Sequence, residues 1–174
     1  KERKPQNHAR QMDARRADPG SVADTKDREI VTTRIIDAPR ELVWKAFADT
    51  KALAQWYGPN GFTLTTKVFD FKEGGDWIFM MHGPDGRNYP NIVHFIKILE
   101  PVRIVHDHGD DEGKISFLAE ITLDAVGNKT RVTLRSVFQS KEALEFVVRE
   151  HGAAEGAQQT LGRLDELVKQ MRDR

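Results

Sequence analysis

Hydrophobic and polar positions change period along this chain, and the changes divide it into elements. Arg28 to Asp37 (REIVTTRIID) alternates and is rich in β-branched residues, which predicts a strand. Pro39 then suits a first helical turn, where its missing N–H has no partner to lose. Leu42, Val43, Trp44 and Phe47 form the apolar stripe of a helix through Asp49. Thr50 is placed to cap a second short helix ending at Trp56, and Tyr57-Gly58-Pro59-Asn60-Gly61 breaks it. From Phe62 to Phe138 short alternating runs follow one another: FTLTTKVFDF, DWIFMMH, NIVHFIKIL, RIVHDH, KISFLAEITL and TRVTLRSVF. Gly and Pro punctuate them at Gly74-Gly75, Gly83-Pro84-Asp85-Gly86, Pro101, Gly109 to Gly113, and Gly127-Asn128.

Ser140 caps a helical run, KEALEFVVREH, and a longer helix spans Gly152 to Met171. In the latter, Ala157, Leu161, Leu164, Leu167, Val168 and Met171 recur at three- and four-residue spacings. Arg163, Asp165, Glu166, Lys169 and Gln170 fill the opposite, solvated face. One apolar stripe has to cover one apolar sheet face. The expected fold class is α+β. A strongly curved antiparallel β-sheet of about six to seven strands wraps around a long C-terminal helix, with two short helices after the first strand. Sheet and helix cannot close on each other at both ends, so a cavity is expected between them. Phe69 or Phe71, Trp77 or Phe79, Phe95, Phe117, Leu161 and Leu164 are the candidate lining residues. Trp56 and Tyr57 would close one mouth, and Met81 offers an adaptable wall. Trp44 lies on a helix stripe and reads as core.

Composition narrows the function. Twenty-seven basic and 27 acidic residues balance, which favours neither nucleic acid nor an anionic membrane as partner. There is no cysteine, so disulfides, thiolate metal sites and thiol nucleophiles are excluded; a cytoplasmic setting is expected. No apolar run reaches the length of a membrane span, and the first residues lack the apolar core of a signal peptide. Residues 1–27 carry no aromatic residue and mixed charge, and are read as a disordered tail preceding a domain over residues 28–174.

The densest polar constellation is His106-Asp107-His108, followed by Asp110, Asp111 and Glu112. Alternation puts His106 and His108 on one strand face, where they could chelate a cation, with His94 joining from the strand before. The acids, however, sit in an evident turn, and no metal site is assigned. A histidine paired with Asp107 or Asp76 could instead move protons on a carbonyl substrate. No nucleophile elbow, phosphate loop or dinucleotide fingerprint is present, and no cofactor or catalytic residue is assigned.

The order IIDAPRELVWKAFAD, KALAQWYGPNGFT, FKEGGDWIFMMHGPDGRNYPN, ILEPVRIVHDHG, EGAQQTLGRLDEL resembles the family homologous to the heat-shock-protein-90 ATPase activator, within the START-like, birch-allergen-type helix-grip (SRPBCC) superfamily. The resemblance covers Arg28 to Met171. Two departures stand out: Trp56-Tyr57 where the family usually has two tryptophans, and Gly156-Ala157 where a large aromatic usually follows the glycine. By inference the second enlarges or reshapes the cavity and places Ala157 on its wall. The resemblance implies ligand binding or a chaperone-related role. Three readings are carried forward: a module binding a small hydrophobic or amphipathic ligand without defined catalysis, a protein that activates a chaperone ATPase, and a cyclase-like enzyme using a cavity histidine.

Overall fold

The computed structural model describes residues 24–174; the segment 1–23, most of the predicted tail, lies outside the described residues. A 3-10 turn at Lys26–Arg28 leads into β1 (Glu29–Ile36), α1 (Arg40–Ala48) and α2 (Thr50–Trp56). Six strands follow: β2 (Thr63–Phe69), β3 (Asp76–His82), β4 (Asn88–Leu99), β5 (Arg103–Gly109), β6 (Ile115–Val126) and β7 (Lys129–Phe138). The chain ends with α3 (Lys141–His151) and α4 (Ala153–Arg172). All seven strands form one curved antiparallel sheet in the order β1-β7-β6-β5-β4-β3-β2. β1 therefore returns to the far edge, beside β7, and the predicted α+β helix-grip arrangement is the one observed.

The local reasons are mostly the expected ones. Alternation gives β6 an inner row, Ala119, Ile121 and Leu123, that is buried in the core. Ser140 accepts from the Ala143 amide at 3.0 Å and starts α3. The cap of α2 differs from the expectation. Asp49, rather than Thr50, accepts from the Lys51 amide at 3.0 Å, and Thr50 is already helical. An ionised side chain one residue earlier meets the free amides and the positive helix end better than a hydroxyl. The last residues read as tail are also part of the fold. Thr25 is buried, donates to Glu29 at 2.6 Å and accepts from Arg135 at 2.6 Å. The Thr25 hydrogen bond, opposed by burial and aided by the Arg135 guanidinium, holds the Glu29 carboxyl below its ordinary range.

Gly152 joins α3 to α4 at φ 59°, ψ 39°, the left-handed conformation that ends one helix and turns the chain into the next. The helices it joins are unlike. α4 buries Leu161, Leu164, Leu167 and Val168 against the sheet and α1, whereas α3 buries no residue at all. Asp165 departs from the solvated face assigned to it. It is buried at 7 % exposure and receives a 2.8 Å bond from Arg34 on the inner row of β1. Helical spacing places Asp165 one residue after Leu164, at the border of the stripe, and the sheet edge curls over that border.

Candidate functional site

The inner face of the sheet is filled at one end and hollow at the other. Over β2 to β4, Trp77 and Phe79 stack with centroids 3.8 Å apart, and Phe71 meets Phe95 edge-on at 5.2 Å. Trp44 of α1 closes this cluster against Phe71 at 5.8 Å. Over β1 and β5 to β7 the inner positions are smaller, including Ala119 and Ser136, and Gly156 and Ala157 of α4 face them. A cavity of about 290 Å³ remains there. Phe47 and Trp56 border it on the side of the two short helices, Phe117 and Phe138 on the sheet side, and exposed His151 where it reaches the surface.

Two buried histidines bring polar atoms to this otherwise apolar wall. His106 and His108 are 5 % and 7 % exposed and lie on the inner face of β5. Asn91 donates through Nδ2 to the Tyr89 carbonyl at 2.8 Å, which turns its Oδ1 toward His108 Nε2, 2.7 Å away. The amide oxygen can only accept, so His108 Nε2 carries the proton. His108 Nδ1 is then the acceptor facing the Tyr57 hydroxyl, at a long 3.4 Å. His106 Nδ1 lies 2.9 Å from the Asp107 carbonyl and must donate to it, leaving Nε2 a bare lone pair. Burial pushes His106 down to about 4, against the pull of the Asp107 carbonyl, and pushes His108 down to about 3, aided by its neighbour His106. Both rings are neutral at pH 7. Burial also raises the Tyr57 phenol well above its usual value, so it stays a hydroxyl.

The wall is held in place by a clamp on the Tyr57 turn. Arg163 of α4 donates to the carbonyls of Gly58, Pro59 and Gln55 at 2.9, 3.0 and 3.1 Å. Gly58 sits at φ 106°, and a Cβ there would run into the Met81 methyl. A Cβ on Gly156 would stand 3.3 Å from Pro59 Cγ. The small residue at 156 thus serves the close approach of α4 to this turn, while Ala157 beside it lines the cavity.

A family model described as activator of Hsp90 ATPase homolog 1-like protein matches residues 37–169. The chain belongs to this family. The activator-homolog fold recurs in solved structures. A protein of Arthrobacter aurescens superposes with a TM-score of 0.76 at 26 % identity, covering 86 % of this chain and 90 % of its own. A protein of Nitrosomonas europaea does so at 0.76 and 22 % identity, over 87 % and 100 %. The AHSA1 protein of Silicibacter pomeroyi gives 0.67 at 19 % identity, over 82 % and 99 %. The last two, below 25 % identity, establish likeness of fold alone. No curated protein sequence matches the chain.

Within this family fold the candidate residues separate into two groups. Trp56, Tyr57, Met81, Phe117 and Ala157 border the cavity. Trp56 does so from the inside rather than at a mouth: it is 1 % exposed and donates from Nε1 to the Ala46 carbonyl at 2.8 Å. Phe69, Phe71, Trp77, Phe79 and Phe95 make up the aromatic cluster of the filled end, and Leu161 and Leu164 are core residues of α4. None of these seven lines the cavity. His94 points away from His106 and His108, on the outer face, and pairs with Asp76 at 2.7 Å with both side chains half exposed. Among the described residues no three His, Asp or Glu gather as a metal would need. Ser136, Ala119 and Thr160 were not among the candidates. Their signal in the sequence is a small or hydroxyl-bearing residue set within an apolar row.

Proposed function

We propose that the chain binds a small, largely apolar molecule in the cavity between β5 to β7 and the first turns of α4. The observation that supports this reading is the cavity itself: largely apolar walls carrying a few polar atoms, on His106, His108, Tyr57 and Ser136 among others. Small-molecule sites have this composition, and its volume lies at the lower end of their range of roughly 300–1,000 Å³. The scale suits a ligand of one or two rings or a short chain. The absence of cysteine accords with a cytoplasmic site of action. Among the described residues no helix is long and apolar enough to cross a membrane. Amide chemical shifts recorded against a panel of apolar and amphipathic compounds test the reading. Binding in the cavity moves Tyr57, Phe117, Ser136 and Ala157 together; shifts confined to the outer face, or none with any compound class, would refute it.

A second reading, regulation of a chaperone ATPase, draws on the family name and on one feature of α3. Phe146 and Val148 are 51 % and 40 % exposed on a helix that buries nothing. Its test is the ATPase rate of an Hsp90 chaperone with and without this chain. An unchanged rate removes it. The cyclase-like reading has less support, because the hydrogen-bond partners of His106 and His108 are a backbone carbonyl, an amide and a phenol rather than a carboxylate.

A further inference from the structure

The hydrogen-bonding atoms of the cavity wall are unevenly spent. His108 gives its Nε2 proton to Asn91 and turns Nδ1 toward the Tyr57 hydroxyl. Thr160 donates to the Gly156 carbonyl at 2.8 Å. His106 gives its only proton to the Asp107 carbonyl. What remains is the His106 Nε2 lone pair, with no partner among the described residues, on a ring only 5 % exposed that lines the cavity. Ser136, whose hydroxyl can turn to give or accept, lines the same cavity from β7 and has no side-chain hydrogen bond among the described residues.

Among the described residues, the cations around the cavity are engaged elsewhere or stand at its rim. The Arg135 guanidinium pairs with Glu29 at 2.8 Å and Glu120 at 3.6 Å, and Arg163 spends its donors on the Tyr57 turn. Neighbouring His108 is neutral, and His151 stands at the surface rim. A carboxylate set against His106 Nε2 would therefore face a lone pair rather than a donor, and lose hydration without compensation. A molecule with no donor would leave the buried acceptor unmet. A neutral O–H satisfies it. The surrounding groups are flat: His108 stacks on Phe117 at 4.7 Å and lies parallel to the Tyr57 ring at 6.5 Å.

We propose that the cavity selects a planar apolar molecule carrying a neutral hydroxyl, received by His106 Nε2, over the corresponding carboxylate or ether. This rests on the ligand-binding reading above and gives the ligand a chemical class. The test uses three probes of one shape at pH 7: 2-naphthol, 2-methoxynaphthalene and 2-naphthoate, titrated by amide chemical shifts. 2-Naphthol is expected to bind about tenfold more tightly than the ether, the size of one neutral hydrogen bond, and the carboxylate more weakly still. The His106 Nε2 nitrogen resonance should move with 2-naphthol and not with the ether, a readout in the unaltered chain that needs no variant to fold. In His106→Phe the naphthol-to-ether ratio should fall to about one. If the ether binds as tightly as 2-naphthol, or the carboxylate binds best, the hydroxyl preference is overturned while the cavity remains a binding site. If no probe shifts any cavity residue, the binding reading fails and this preference with it.

Discussion

One sheet presents two inner surfaces to its helices. At the β2 to β4 end, Phe69, Phe71, Trp77, Phe79 and Phe95 meet Trp44 of α1, and rings fill the space between the layers. At the β1 and β5 to β7 end, Ala119 and Ser136 face Gly156 and Ala157, and the helix beyond them, α3, buries no residue. The sheet curves over both, and the helices cross both, so architecture alone does not make the hollow. Side-chain volume does. A ring of Trp or Phe spans the gap between layers; Ala, Ser and Gly do not, and backbone hydrogen bonding keeps the sheet from collapsing onto them. The filled end is packed with rings, and the hollow end carries the polar atoms of His106, His108, Tyr57 and Ser136.

Acid should break this contrast most strongly, because it attacks the hollow end. His106 and His108 stay neutral in the fold down to about pH 4 and 3, while in the unfolded chain they take up protons near the ordinary histidine value. The unfolded state therefore binds more protons over the window from about pH 6.5 down to about 4, and stability falls as pH falls. With both rings neutral in the fold and protonated in the unfolded chain, the pair should cost several kcal/mol by about pH 4.5. Urea midpoints across pH 7 to 4.5 measure it; a flat profile would show that water reaches both rings.

Next in size is the filled end. Phe95 is 4 % exposed within the ring cluster, and Phe95→Ala should cost about 3–5 kcal/mol in a denaturant titration. A loss under about 1 kcal/mol would mean that the cluster is loosely filled after all. Ala157→Trp probes the opposite case. Its bulk enters space already empty, so stability should change by no more than about 1 kcal/mol while cavity binding of 2-naphthol disappears. Binding that survived the change would show that the ligand does not reach that turn of α4. The smallest effect belongs to α3. Phe146→Ser replaces a side chain 51 % exposed and should shift stability by less than about 0.5 kcal/mol. A larger loss would give α3 a packing role that its exposure does not suggest.

Much of this was legible in the chain itself. Alternation at β6 and β7 and the three- and four-residue spacing of Leu161, Leu164 and Val168 are local signals, and each produced the element it predicts. The order of breakers then left few ways to connect them. The site was legible only in part. Tyr57, Met81, Phe117 and Ala157 were placed on the cavity wall, but the large aromatics of β2 to β4 were expected there too. A ring on an inner row can line a cavity or abolish it, and its own strand does not say which. Asp165 was misread for a related reason: its partner, Arg34, lies on the edge strand β1, far away in the sequence.

The periods, the breaks between them and hence a curved sheet gripping a C-terminal helix were written along the chain, because they depend on neighbours within a few residues. Tertiary structure decided where the grip stays open. That outcome depends on the summed volumes of positions 119, 136, 156 and 157, which come from two strands and a helix and meet only after folding. Tertiary structure also decided what the opening offers. His106 presents a lone pair because its other nitrogen is tied to a carbonyl and its ring is shut away from water, and neither fact is a property of the residue type.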